Sequence, residues 1–193
     1  MIGQPDDQYK TEVCVMGIDA SLCGTGICCL KNNELELHFL PETKLRGAER
    51  LLSLRNRLCV ILDDFKPKLV VLEGYSYESD GRLFEIGEWG GVIKVELYVR
   101  NIPLTIATPK QIKKFASGDG SADKKKMIRS VSQRYNIDVD GNDDLADAAA
   151  AAKLGEVYLT GNSKYRSELE IVRDLKLPKV KNGPRYKKRR KAL

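Results

Sequence analysis

Four carboxylates, Asp19, Glu73, Asp144 and Asp147, stand where a short apolar run ends or a helix face begins. They are spread along the chain, yet each belongs to a segment apolar enough to be buried, and no basic residue adjoins any of them. An ionised carboxylate is costly to remove from water without a counter-charge. One or two hard divalent cations satisfy such a cluster most simply, since carboxylate oxygens are the donors they prefer. The chemistry this supports is metal-dependent phosphoryl transfer. Zinc does not suit the same inventory. The chain has a single histidine, His38, and its five cysteines (14, 23, 28, 29 and 59) form no C-x-x-C pair. The cysteines lie in or beside apolar segments and are expected as reduced core thiols of a cytoplasmic protein. His38 is expected on a strand surface.

The elements that must position these acids follow from hydrophobic period. VCVMGID (13 to 19) is a short run dense in β-formers, ended by Asp19 and the turn-permitting SLCGTG. Residues 26 to 31 and 34 to 40 predict two more strands around Asn32-Asn33, a pair suited to a hairpin. An amphipathic helix follows over about 47 to 65, with Leu51, Leu54, Leu58, Ile61, Leu62 and Phe65 along one face. Pro67 stops it. KLVVLE (68 to 73) then reads as a strand buried on both faces, with Glu73 at its end. A second helix over about 81 to 100 contains Gly87, Gly90 and Gly91, each costing roughly 1 kcal/mol against alanine. Such small residues predict that another backbone or a ligand comes close. Residues 103 to 107 form a fifth strand. Thr108-Pro109 supplies an N-cap and first helical position. Helices over about 109 to 116, 122 to 135 and 143 to 159 complete the core. Three strands followed by interleaved helices and strands predict an α/β fold, a mixed sheet with helices on both faces. Asp144 and Asp147, three apart, share one helical face, and so do Asp143 and Asp147.

The 193 residues suffice for one buried core and an appendage. No apolar run is long enough to span a bilayer, and the polar start MIGQPDDQYKTE has no apolar h-region, against secretion. The net charge of +6 is unevenly spread: after Asp174 come nine Lys/Arg and no acid, which leaves residues 1 to 174 at −3. The terminal KKRRK block, Lys187, Lys188, Arg189, Arg190 and Lys191, suits an arm that releases counterions from a polyanion. A solvated solubility tail is the plainer alternative.

GIDASLCGTG, LEGYSY, GSADKKKM and DDLADAAAAA, in that order, resemble the RuvC family of Holliday-junction resolvases within the RNase H-like superfamily. The resemblance covers roughly residues 13 to 157. It implies a five-stranded mixed sheet flanked by helices and a catalytic domain over 13 to 160. A flexible extension would precede it (1 to 12), and a basic one would follow (161 to 193). It also implies Asp19, Glu73, Asp144 and Asp147 as ligands of two Mg²⁺ ions, with Mn²⁺ able to substitute. Asp144 is favoured over Asp143 by the family's D-x-x-D spacing. Two such ions about 4 Å apart clamp a scissile phosphate, and the implied products carry a 5′-phosphate and a 3′-hydroxyl. Lys124 matches a basic residue that reaches the phosphate, and Lys113 a second, whereas Lys125 and Lys126 read equally well as solvated. An aromatic that wedges at the branch point corresponds to Tyr75 or Tyr77, since the spacing departs from the family's. Stacking of this kind is worth about 1–3 kcal/mol per base. The substrate implied is a four-way junction or other branched DNA, cut by a homodimer whose contact involves the helix around Trp89. A buried packing role is the plainer reading of Trp89.

Other classes compete for parts of this pattern. An actin/hexokinase-type ATPase also has an Asp after its first strand, before a Gly/Ser/Thr turn. That fold needs a second lobe and a second phosphate motif, for which this chain is too short. A RuvC-like RNA-processing nuclease shares the strand-end acids, but GSADK with a basic tail fits branched DNA better. A noncatalytic DNA-binding module would not keep an acidic crevice that repels DNA.

Overall fold

The computed structural model describes residues 12–21, 24–75 and 83–175. Five strands, β1 (Cys14–Ala20), β2 (Gly24–Lys31), β3 (Glu34–Pro41), β4 (Leu69–Glu73) and β5 (Leu104–Ala107), form one sheet in the order β3-β2-β1-β4-β5. β1 runs antiparallel to β2, and β2 to β3; β1–β4 and β4–β5 are parallel. The β2–β3 turn is made by Asn32 and Asn33, both at positive φ, the backbone a two-residue hairpin with right-handed strand twist requires.

Alternation along the strands divides the core. Met16, Ile18, Ile27, Cys29, Val70 and Leu72 face α1 (Gly47–Phe65) and α2 (Leu83–Val99). Val15, Cys28, Leu30, Leu69 and Val71 face the other layer, α3 (Pro109–Ser117), α4 (Lys124–Tyr135), α5 (Asp143–Thr160) and α6 (Arg166–Asp174). Central β1 and β4 are thus buried on both sides, as their unbroken apolar runs required. Among the described residues Cys14, Cys28 and Cys29 are buried free thiols. Burial pushes Cys29 up to about 12, so it stays protonated and unreactive.

Thr108 caps α3 with a full capping box through Gln111 and with Pro109 in the first turn. The small residues of α2 depart from expectation. Only at Gly90 does anything come close, and it is the side chain of Tyr75; a Cβ at Gly87 or Gly91 would meet nothing within 4 Å. The sequence pattern also did not place α6. Its Ile171 and the following Leu175 are buried in the core. Its Glu168, 3% exposed, accepts hydrogen bonds from Tyr135 Oη (2.8 Å) and from Ser163 Oγ. The helix closes over α3 and α5.

α5 lies unusually close to the sheet. Ala148 through Ala152 are fully buried. A Cβ at Gly17 would stand 2.0 Å from the Ala148 carbonyl oxygen, and one at Gly26 2.1 Å from that of Asp144. Both contacts are with helix backbone, which cannot swing aside. Gly17→Ala is therefore expected to cost about 1–3 kcal/mol by overpacking. Gly91→Ala, in open space within α2, should instead gain up to ~1 kcal/mol from helix propensity. Chemical denaturation of the pair checks both signs.

Candidate active site

The parity of the strands aims the acids. Asp19 follows Val15 and Gly17 on the α5 face of β1, and Glu73 follows Leu69 and Val71 on the same face of β4. The parallel register pairs Ile18 with Leu72, so the next residues along the two strands are Asp19 and Glu73. Both stand at the carboxyl edge of the parallel strands, where open α/β sheets collect ligands. Gly26, opposite Asp19 on β2, lets the first turn of α5 press down on that edge. Asn142 caps α5 by accepting from Leu145 N (3.0 Å). The helix N-terminus then presents its acids with a partial positive charge behind them.

Oxygens of Asp19, Glu73 and Asp147 all lie within 4.8 Å of one another. Asp144, three residues before Asp147 on α5, stands close enough to interact with the Asp19 carboxyl. The four acids named from sequence are therefore together. Burial raises all four, and mutual repulsion adds to it. Asp19 lies well above the carboxylate range because of desolvation, then Glu73, Asp147 and Asp144. Desolvation, with Asp147 next, pushes Glu73 up to about 8, against the pull of Lys113. Asp147 is pushed up to about 6, mainly by burial and again eased by Lys113. Asp144 is raised by burial and by Asp143, and lowered by its bond with Asp19 and by Lys124. Four acids in this condition lack positive charge.

Glu73 Oε2 and Asp147 Oδ1 are buried and have no hydrogen-bond partner. An orphaned buried carboxylate oxygen is a costly group, and two of them on members of one carboxylate cluster fit a hard divalent cation. Asp19, Glu73 and Asp147 are thus a candidate metal-binding group made of oxygen alone.

The other named residues divide. Lys113 is near enough to Glu73 and Asp147 to lower both. Lys124, four-fifths exposed, places Nζ 2.6 Å from Asp143 Oδ2. Asp143 is thus engaged by a lysine, while Asp144 is engaged by Asp19. Lys125 is exposed, and Lys126 is paired with Asp119 at 2.6 Å. Tyr75 turns onto α2: its hydroxyl seats on Gly90 and accepts from Lys94 Nζ (3.3 Å), whose ammonium sits 4.9 Å from the ring centroid. Tyr77 and the Lys187, Lys188, Arg189 and Arg190 cluster lie outside the described residues. Trp89 is fully buried, and its indole N–H donates to Thr25 Oγ1 at 3.0 Å. Sequence reasoning did not single out Thr25, which lies between two glycines of GIDASLCGTG with nothing local to reveal its partner Trp89.

The sequence and the fold are both similar to those of known proteins. The family model described as crossover junction endodeoxyribonuclease RuvC matches residues 15–154. A protein of that name from Caldicellulosiruptor saccharolyticus is 31% identical over 147 residues, covering 72% of this chain and 89% of the relative. Another, from Hydrogenovibrio crunogenus, is 28% identical over 152 residues, covering 76% and 88%. The fold is similar to that of Thermus thermophilus RuvC in complex with Holliday junction substrate (TM-score 0.62, 23% identity, covering 72% of this chain and 90% of that one). It also resembles the yeast mitochondrial Holliday junction resolvase Ydc2 (TM-score 0.54, 17% identity, covering 82% and 78%). The family's sequence pattern spans every strand and helix that brings the four acids together, and this chain belongs to the RuvC family.

Proposed function

We propose that this protein is a crossover junction endodeoxyribonuclease, a hydrolase that resolves four-way DNA junctions. It nicks two opposed strands symmetrically and leaves 5′-phosphates and 3′-hydroxyls. The observation that carries the reading is the meeting of Asp19, Glu73 and Asp147 oxygens, in a chain of this family, with Glu73 and Asp147 each holding a buried oxygen without a partner.

Asp19, Glu73, Asp144 and Asp147 would hold two Mg²⁺ ions, or Mn²⁺ in their place. When bound, such ions supply a water of lowered pKa and neutralise charge on phosphate oxygens. The balance of the reaction is simple. Water adds to phosphorus, the bond from phosphorus to the 3′ oxygen breaks, and that oxygen leaves with a proton. The chain's own groups prepare this step. β1 and β4 bring Asp19 and Glu73 side by side at the sheet edge, and α5 brings the two remaining acids as one unit. Lys113, whose charge lowers both Glu73 and Asp147, would take charge building on the phosphate. Lys124 is held by Asp143 at the rim and would exchange that exposed ion pair for the phosphate; such pairs are weak, about 0–1 kcal/mol, so the exchange costs little. Stacking at the branch point would use Tyr75 or Tyr77; the Tyr75 ring carries Lys94, which favours Tyr77.

Two opposed cuts call for two active sites, and a homodimer provides them. Val95, Tyr98 and Val99 on α2 and Leu52 and Val60 on α1 are exposed apolar side chains on the layer away from α5, a surface suited to a second copy. Among the described residues no helix is long and apolar enough to cross a membrane.

A nicking panel tests the assignment: four-way junction, flap, linear duplex and structured RNA, each with Mg²⁺ and with EDTA. Paired, Mg²⁺-dependent nicks on the junction are expected. Cleavage of RNA in preference to DNA, or ATP hydrolysis without strand cleavage, overturns it. Removing residues 176 to 193 should weaken junction binding chiefly at low salt. The log–log salt slope should become shallower by about 0.9 for each phosphate that the tail neutralises, with single-turnover nicking of bound junction unchanged.

A further inference from the structure

One stretch of α2 touches Thr25 at the start of β2 and Tyr75 just beyond β4, beside the two strand ends that carry Asp19 and Glu73, and the reaction does not use it. Trp89 donates its indole N–H to Thr25 Oγ1 (3.0 Å), and Thr25 donates in turn to the Ser21 carbonyl oxygen (3.3 Å). Thr25 is paired across the sheet with Ala20, and its neighbour Gly26 with Asp19. Thr25 is 1% exposed and Trp89 is fully buried, so the hydroxyl is used in both directions in a dry site. The relay therefore ends on the backbone two residues beyond Asp19.

The next residue of α2 serves the other loop. A Cβ at Gly90 would fall 1.9 Å from Tyr75 Oη, so the absence of a side chain is what admits the phenol. Lys94, one turn further, donates to the same oxygen (3.3 Å) and covers the ring. Tyr75 is two residues beyond Glu73. Between them Gly74 N donates to Ala107 O at 2.8 Å, which continues the β4–β5 ladder and leaves the side of the loop facing α2 to be fixed by Tyr75.

We infer that Trp89, Gly90 and Lys94 make α2 a clamp that sets the separation of the Asp19 and Glu73 carboxylates, with Thr25 and Tyr75 as its two contact points. These are positioning residues: none touches the reacting phosphate. The clamp holds the two acids at a cation-sharing distance before any cation arrives. Groups that orient metal ligands typically contribute about 10- to 100-fold in metal affinity. The inference rests on the cation reading of the site, so its test begins with that reading.

Mn²⁺ binding to the DNA-free full chain, followed by the loss of the free-ion paramagnetic resonance signal, gives a readout independent of cleavage. Wild type should bind Mn²⁺, and Asp147→Asn should abolish the tight site. Thr25→Val, which keeps the shape and removes the hydroxyl, and Gly90→Ala, which expels the Tyr75 hydroxyl, are each expected to weaken Mn²⁺ about tenfold, the low end of that range. The Mg²⁺ concentration for half-maximal nicking should rise in parallel, and the rate should recover at saturating Mg²⁺. Thr25→Ser should return to wild type. Mn²⁺ affinity unchanged in both variants, with only the melting temperature lowered, would reduce these contacts to packing and overturn the clamp while leaving the site. A wild type that takes up no Mn²⁺, or an uptake indifferent to Asp147→Asn, overturns the cation reading and the clamp with it.

Discussion

Asp19→Asn is expected to bind a four-way junction with wild-type affinity and to nick it at background rate, a loss of about 10³-fold or more. The size follows from what the acid does. Cation stabilisation of charge in the transition state is worth several kcal/mol, and each ~1.4 kcal/mol is tenfold in rate. Affinity should persist because DNA is held mainly through its phosphates by lysines and arginines elsewhere. The variant should also fold at least as well as wild type in EDTA. Asp19 is raised by burial and by three acidic neighbours, so the amide relieves repulsion at nearly constant shape. Gel-shift affinity, single-turnover nicking and a thermal melt of one preparation check the three statements. Binding and folding lost together would make Asp19 a structural residue.

The second large effect is on stability. Without divalent cations the melting temperature should fall as pH rises from about 5 to about 8. In the unfolded chain these acids titrate near 4. In the folded one Glu73 is pushed up to about 8 and Asp147 to about 6, with Asp19 and Asp144 also raised. Across that window the folded state holds more protons than the unfolded, so stability falls with pH. The contribution is full below the unfolded values and is lost as pH passes first the Asp147 and then the Glu73 value. Glu12, lowered by Lys68 and Lys31, and Asp119, lowered by Lys126 and Ser121, work the other way. Their effect falls mainly below this window. Excess Mg²⁺ should reverse the trend, since it binds the deprotonated folded site and stabilises it by mass action. The gap between melts with Mg²⁺ and with EDTA should widen with pH, and Glu73→Gln should narrow it. A gap independent of pH would mean that these acids do not bind the ion.

Much of this site is visible in the one-dimensional chain because strand ends announce themselves. An apolar run that stops at an acid, as VCVMGID and KLVVLE do, places that acid at a sheet edge whatever the pairing. The i, i+3 spacing of Asp144 and Asp147 likewise needs only a helix, and the helices are plain from their period. What is hidden depends on partners far away in the chain. Nothing local separates the surroundings of Asp143 from those of Asp144; the difference comes from Lys124, nineteen residues earlier, which pairs with the former. The glycines of α2 look alike, yet only Gly90 meets another group, because only it lies under Tyr75. Nor could α6 be seen, since a buried acid such as Glu168 reads as a solvent residue until Tyr135 and Ser163 are found around it.

The seating of α5 has a consequence for how this enzyme could change. Asp144 and Asp147 travel on a rigid rod whose resting height is fixed by backbone touching backbone, at Gly17 and Gly26. There is no soft side chain in the joint to compress or swell. Calcium, which takes more oxygens at longer range than magnesium, would need the rod to lift. Selection for a different ion should therefore surface first at these two glycines and the alanines above them, and only later at the acids.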